Sequence, residues 1–312
     1  MNYGRVKNFF KRYSYRLLAW AIFILSLFFF YHRFYSLSHK IDRNFVVALI
    51  QNIDILIVLW VFVFVFVNWG IEALKWKIVN KPIESIRFLQ SYKAVLMGVA
   101  VSNIFPNRTG EFIGKVMVLS KPNRVKGIFS SMLSSLAQLS VTLVMGVGAM
   151  FFLTSHYYIP TFYVGASTFI IVLLLVFFKP LVFFLSRFLP EKWCLFLDFV
   201  KAYSFKDIGQ LIVLSWVRYM VFSFQLYLLF MGLGVGIHLF DFMQYAAFAF
   251  LLTTLIPTTS FSELFVRSNV GILIFSELYI NDGIIIIAYT LLWIFNILLP
   301  SLIGFYLGLM KN

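Results

Sequence analysis

Two polar runs hold the side chains best suited to chemistry. The first is Pro106-Asn107-Arg108-Thr109-Gly110-Glu111, with Lys115 four residues beyond the glutamate. The second is Pro257-Thr258-Thr259-Ser260-Phe261-Ser262-Glu263, with Arg267 four residues beyond its glutamate. In each the acid precedes the base at i,i+4, the order that favours an ion pair on one helix face. Proline stops a helix ahead of each run. Thr109, Ser260 and Ser262 are suited to cap the helix that follows, and Gly110 permits a tight turn. A helix start presents unpaired N–H groups and the positive end of a dipole, which attract phosphate. Arg108 adds a forked donor for the same anion, or else snorkels or pairs with a carboxylate.

These runs must be positioned by elements built for lipid. The 312-residue chain is 62% hydrophobic and 20% aromatic, with 39 Phe and 12% charged residues. Several stretches are long enough to cross about 30 Å of hydrocarbon. Unbroken runs such as Val61-Phe62-Val63-Phe64-Val65-Phe66-Val67 lack the polar alternation of an outer-membrane barrel. The fold class expected is therefore all-α, a polytopic helical membrane protein. Ionisable residues at membrane depth are costly, which makes Glu111 and Glu263 functional candidates. They either neutralise their i,i+4 bases or carry a proton. Arg218, inside an apolar stretch, needs an acid partner or contacts substrate.

Full spans are expected at about 14–31, 46–69, 128–153, 161–186, 209–232 and 284–309. Segments 91–120 and 242–278 are each split by their polar run. Arms of about 12 residues reach only roughly 18 Å, near the bilayer midplane, which fits a re-entrant hairpin. Kinked full spans are the alternative, and charge separates the two. With hairpins, the basic residues of the Lys75–Lys93, Lys121–Lys126 and Lys179–Lys206 loops all fall on one side. Only Arg33, Lys40 and Arg43 fall on the other, which satisfies the positive-inside rule. The two hairpins then enter from opposite faces. Span, hairpin, span over 46–153 recurs inverted over 209–309, an inverted-topology repeat within one transmembrane domain covering 1–312. Residues 187–207 form a cytoplasmic or interfacial connection, with an amphipathic stretch at Trp193–Phe205. Asp54 is expected at an interface, and Glu72, Lys75 and Lys77 on a solvated cytoplasmic rim. The basic N-terminus, without a cleavage site, is read as preceding a retained first helix, with both termini cytoplasmic.

The net charge of +14 fits this topology and anionic lipid headgroups rather than nucleic acid. The lone Cys194 and the scattered His32, His39, His156 and His238 offer no metal cage. No nucleotide, dinucleotide or hydrolase motif is present, so no cofactor is expected.

The Pro106-x-Arg108-x-Gly110-Glu111 run, preceded by a small-residue stretch containing Asn103, resembles the signature of the lysylphosphatidylglycerol synthase transmembrane-region family. The Pro257 to Glu263 run is similar to that family's second signature. Where the family usually places a base three residues after the first glutamate, this chain has Gly114, with the base at Lys115. The resemblance spans roughly 15–309. It implies a flippase-like domain of a bacterial inner membrane that translocates a phospholipid or a polyprenyl-phosphate-linked headgroup. In the best-known relatives that lipid is made by a fused synthase domain. Here the expectation is a chain that is not itself a synthase, served by a separate lipid-synthesising enzyme. A membrane-embedded headgroup-modifying enzyme and a scaffold for a partner enzyme are the alternatives.

Overall fold

A computed structural model describes residues 53–103, 108–157, 202–256 and 260–310, together with Phe199. The predicted spans at 14–31 and 161–186, the first loop, most of the 187–207 connection, Pro106 and Pro257 lie outside the described residues. Among the described residues there are helices and no strand. This follows from the solvent, because a lipid-exposed backbone must satisfy its polar groups internally.

The helices in chain order are α1 (Ile55–Asn80), α2 (Phe88–Ser102), α3 (Gly110–Val116), α4 (Arg124–Tyr157), α5 (Phe205–Gly232), α6 (Leu239–Leu255), α7 (Ser260–Phe275), α8 (Asp282–Trp293) and α9 (Leu299–Met310). Among the described residues, four stretches are long and apolar enough to cross a membrane: Ile55–Asn80, Lys121–Leu153, Phe205–Gly232 and Asp282–Gly308. The chain is thus a helical membrane protein.

Helix α1 corrects two expectations. Asp54 caps its N-terminus by accepting a hydrogen bond from the Leu56 N–H at 2.8 Å. The helix therefore starts nine residues later than the predicted span at 46 and runs on to Asn80. That shift carries Glu72 and Lys75 off the predicted rim and into the bundle, where they are 3% and 0% exposed. The apolar face is continued past residue 69 by Ile71, Ala73, Trp76 and Val79, all buried. Lys77 is exposed, as expected of a rim residue.

The arms around the polar breaks are unequal, with 15 and 7 residues in α2 and α3 and 17 and 16 in α6 and α7. Helix α3 ends at Val116, and Pro122 follows in a separate 3-10 turn, Lys121–Asn123. It folds back on α2 through two glycines. A Cβ on Gly114 would lie 2.5 Å from the Met97 carbonyl oxygen. One on Gly98 would lie 2.9 Å from Cγ of Lys115. Small residues at such contacts let helix backbones approach closely in lipid.

The last span is not uniform. Between α8 and α9, Ile294–Leu298 form a π-helical turn. Pro300 explains it, because its ring removes a donor and crowds the carbonyl four residues back, that of Asn296.

Among the described residues, two large apolar clusters flank a polar layer. One gathers Phe230, Phe242, Phe275, Tyr289 and neighbours. The other gathers Trp69, Trp76, Val95, Val99, Leu133 and neighbours. The ends of the bundle differ in charge. Exposed Lys77, Lys81, Arg87, Lys93, Lys121, Arg124, Lys126 and Lys206 sit at the end with the α1–α2 and α3–α4 loops. Those loops are tied together by Glu84, which accepts from the Ser120 hydroxyl at 2.7 Å and Asn123 Nδ2 at 2.9 Å. Exposed Asp54, Asp241, Glu277 and Asp282 mark helix starts and the α7–α8 turn at the other end.

Candidate functional site

The polar layer is built from one face of α1. Asn68, Glu72 and Lys75 are spaced i, i+4, i+7, which stacks them along one side of the helix. Glu72 is the meeting point of three cations. Lys115 of α3 lies 2.7 Å away, Lys75 3.2 Å, and Arg218 of α5 3.2 Å. Lys115, fully buried, also holds Glu111 at 2.6 Å. The expected i,i+4 pair is therefore present, but its lysine is shared with a second acid from another helix. Burying one charge without the others would cost several kcal/mol, so the cluster forms as a set.

Arg218 is held on three sides. Its Nε donates to Asn68 Oδ1 at 3.1 Å and its Nη1 reaches Gln138 Oε1 at 3.5 Å. Its guanidinium lies 5.2 Å from the Trp69 ring, within cation–π range. Gln138 in turn accepts from Lys75 at 3.2 Å and donates to the Ser215 carbonyl at 3.2 Å. Asn68 donates to Asn296 Oδ1 at 2.9 Å, so the π-helical turn is tied into the layer.

A second cluster joins the two polar runs. Arg267 pairs with Glu263 at 2.5 Å, and Arg108 approaches the same carboxylate oxygen at 4.0 Å. The second i,i+4 pair is thus also present, and the first run meets the second in space. The Arg108 contact is a charge interaction, longer than a hydrogen bond. The Nε atoms of Arg108 and Arg267 are both buried without a hydrogen-bond partner among the described residues. Arg108 adopts φ 57°, the left-handed region that is uncommon for a residue with a Cβ. The tight turn expected at Gly110 is therefore made two residues earlier. Gly110 itself is buried and begins α3. Thr109 occupies the N-cap position, but with helical φ/ψ and no capping bond from its side chain, so the expected cap is absent. Helix α7 begins at Ser260, which places Ser260 and Ser262 in its first turn rather than at the N-cap position expected of them.

Between the clusters lies a cavity of about 520 Å³. Arg108, Arg218, Arg267 and Glu263 line it, with Asn68, Gln138, Thr142, Thr253 and Thr254 supplying neutral polar groups. Phe222 and Phe250 form an apolar wall that runs out to Leu255 and Ile256, which are exposed. Four of the sequence-predicted site residues, Arg108, Arg218, Glu263 and Arg267, therefore share one cavity. Glu111 and Lys115 stand behind it in the Glu72 cluster. Sequence reasoning missed Glu72, Lys75, Asn68, Gln138 and Asn296. The i, i+4, i+7 spacing on α1 was the available signal for the first three. Among the described residues no group of His, Cys, Asp and Glu gathers as a metal ion would require.

The sequence profile of the lysylphosphatidylglycerol synthase TM region matches residues 16–304. The chain belongs to that family. The match covers both polar runs, every helix that lines the cavity, the predicted span at 161–186 and all but the first residues of the one at 14–31. No curated protein and no solved structure matches the chain. Family membership thus identifies the chain as a membrane domain.

Proposed function

We propose that this chain is a lipid translocase that carries a phosphate-bearing headgroup through the cavity between its two polar runs. The observation that carries this reading is the cavity wall. Three guanidiniums and one carboxylate face a space within helices long enough to cross a membrane, and the wall continues to exposed apolar side chains. An amphipathic anion fits such a wall, with the headgroup at the arginines and the tails passing Leu255 and Ile256 into lipid. Arginine forks match phosphate oxygens, and the buried Nε donors of Arg108 and Arg267 have no acceptor among the described residues. No chemistry beyond binding and movement is assigned to the chain, and a separate enzyme would supply the lipid.

The architecture proposed is six spans and two re-entrant hairpins, arranged as inverted halves 46–153 and 209–309. Matched packing supports it. Helix α1 packs on α5, α2 on α9 as α6 packs on α4, and α3 on α4 as α7 packs on α8. Gly304 sits against the Leu96 carbonyl of α2, and Gly146 against Leu251 of α6. Lys115 faces Trp76 as Arg267 faces Phe222, and four residues before these rings stand Glu72 and Arg218. By the positive-inside rule the basic end and both termini belong in the cytoplasm of a bacterial inner membrane.

Reconstitution into liposomes holding a quenchable fluorescent phospholipid tests the reading. The intact chain should equilibrate the probe between leaflets. Glu111→Gln and Glu263→Gln should each slow it by roughly tenfold, about 1.4 kcal/mol. Unchanged rates in both variants would remove the acids from the mechanism.

A further inference from the structure

The sign and size of the cavity's charge specify the headgroup. Among the described residues, three arginines face the cavity against the single carboxylate of Glu263. Arg218 leans on Glu72, but Glu72 already holds Lys75 and Lys115, and Lys115 is shared with Glu111. Counted across both clusters with every lysine protonated, five bases stand against three carboxylates among the described residues, a formal excess of two positive charges. Arginine does not give up its proton to relieve the excess. Uncompensated charge at this depth is expensive, and a ligand of matching charge removes the cost.

Resting on the translocase reading, we propose that the cavity selects a doubly charged phosphomonoester headgroup over a singly charged phosphodiester, and rejects headgroups carrying an added amine. A monoester has three terminal oxygens, enough for the donors of Arg108 and Arg267 from one side and Arg218 from the other. A diester offers two such oxygens and one charge, which leaves one arginine uncompensated. An amine-bearing headgroup would add a cation to a wall that already has too many. The hydroxyls of Thr142, Thr253 and Thr254 already donate to carbonyls on their own helices. Selectivity therefore rests on the arginines.

The test is binding to the intact chain in nanodiscs of a zwitterionic lipid, by titration with phosphatidic acid, phosphatidylglycerol and a lysyl-bearing phosphatidylglycerol. At about pH 8 phosphatidic acid should bind roughly tenfold more tightly than phosphatidylglycerol, and the lysyl lipid more weakly than either. The advantage should vanish at about pH 5, because the second phosphate proton binds near pH 6. Asn68→Asp is nearly isosteric and places one more negative charge beside Arg218. It should level phosphatidic acid with phosphatidylglycerol at the higher pH. Glycerol phosphate distinguishes the sources of this chemistry. Failure to compete supports a lipid headgroup, and competition equal to phosphatidic acid overturns the lipid part in favour of a soluble phosphomonoester. Equal binding of the monoester and diester at pH 8, with liposome flipping intact, overturns the charge selection and leaves the translocase reading standing. Loss of both flipping and binding to every lipid overturns both.

Discussion

Arg108 shows how a single residue is committed to function at the expense of comfort. Its left-handed backbone costs about 1–2 kcal/mol for a residue with a Cβ. Its side chain reaches Glu263 only at 4.0 Å, leaving a buried Nε without a partner among the described residues. Glycine would accept the same backbone freely, though its unfolded chain is more flexible by a comparable amount. Arg108→Gly is therefore expected to fold with stability within about 1 kcal/mol of the parent. Arg108→Gln, which keeps the strain, should be the less stable of the two. Both should lose headgroup binding. Thermal unfolding in detergent beside a lipid-binding titration checks this, and a Gly variant far less stable than the Gln variant would contradict it. At this scale much was legible. The acid–base spacing in both runs announced the pairs Glu111–Lys115 and Glu263–Arg267, and an arginine inside an apolar stretch announced that Arg218 needed an acid partner or a substrate contact. Its actual partner, Glu72, was hidden by a boundary. A hydropathy window closes where charges begin, although these charges compensate one another inside the bundle.

Elements explain both what was foreseen and what was missed. Helix α1 slid toward its C-terminus because Asp54 caps it and because Trp69, Ile71, Ala73, Trp76 and Val79 keep its buried face apolar. The π-helical turn had a readable cause in Pro300, but its use became visible only when Asn296 met Asn68 across the bundle. The meeting of Arg108 with Glu263 depends on how two distant segments pack, which local patterns do not encode. Outside the apolar layer, the α1–α2 loop is held by Glu84. The amide of Asn123 and the hydroxyl and N–H of Ser120 donate to its carboxylate and hold it below the ordinary carboxylate range. The folded loop then binds fewer protons than the unfolded chain near its ordinary value of 4.5, so this tie is present above that pH. It is lost as pH falls through the lowered folded value. Hydrogen exchange at the Ser120 amide should accelerate relative to neighbouring amides on acidification below about pH 4.5, and Glu84→Gln should abolish the dependence. Exchange at Ser120 that ignores both the acid and the variant would show that the tie contributes nothing.

At the scale of the whole molecule, two large apolar clusters enclose a charged layer, and the layer is what makes the bundle specific. Apolar helices in lipid have little reason to prefer one partner over another. Glu72, Lys115 and Arg218 come from three different helices and reach electrostatic satisfaction only when α1, α3 and α5 meet in one register. The fully buried amines of Lys75 and Lys115 also turn the fold into its own recorder. An acylating reagent meets a lysine only as a free amine in contact with solvent. Each modification of Lys115 therefore reports one opening of the bundle deep enough to separate it from two carboxylates. Mass spectrometry of the membrane-reconstituted chain should find Lys77, Lys81, Lys121 and Lys206 labelled promptly. Lys115 should follow more slowly by several orders of magnitude, with a rate set by that opening equilibrium. Labelling of Lys115 as fast as Lys77 would contradict its burial. Its measured rate would put a lifetime on the closed state of a site that static coordinates describe only as distances.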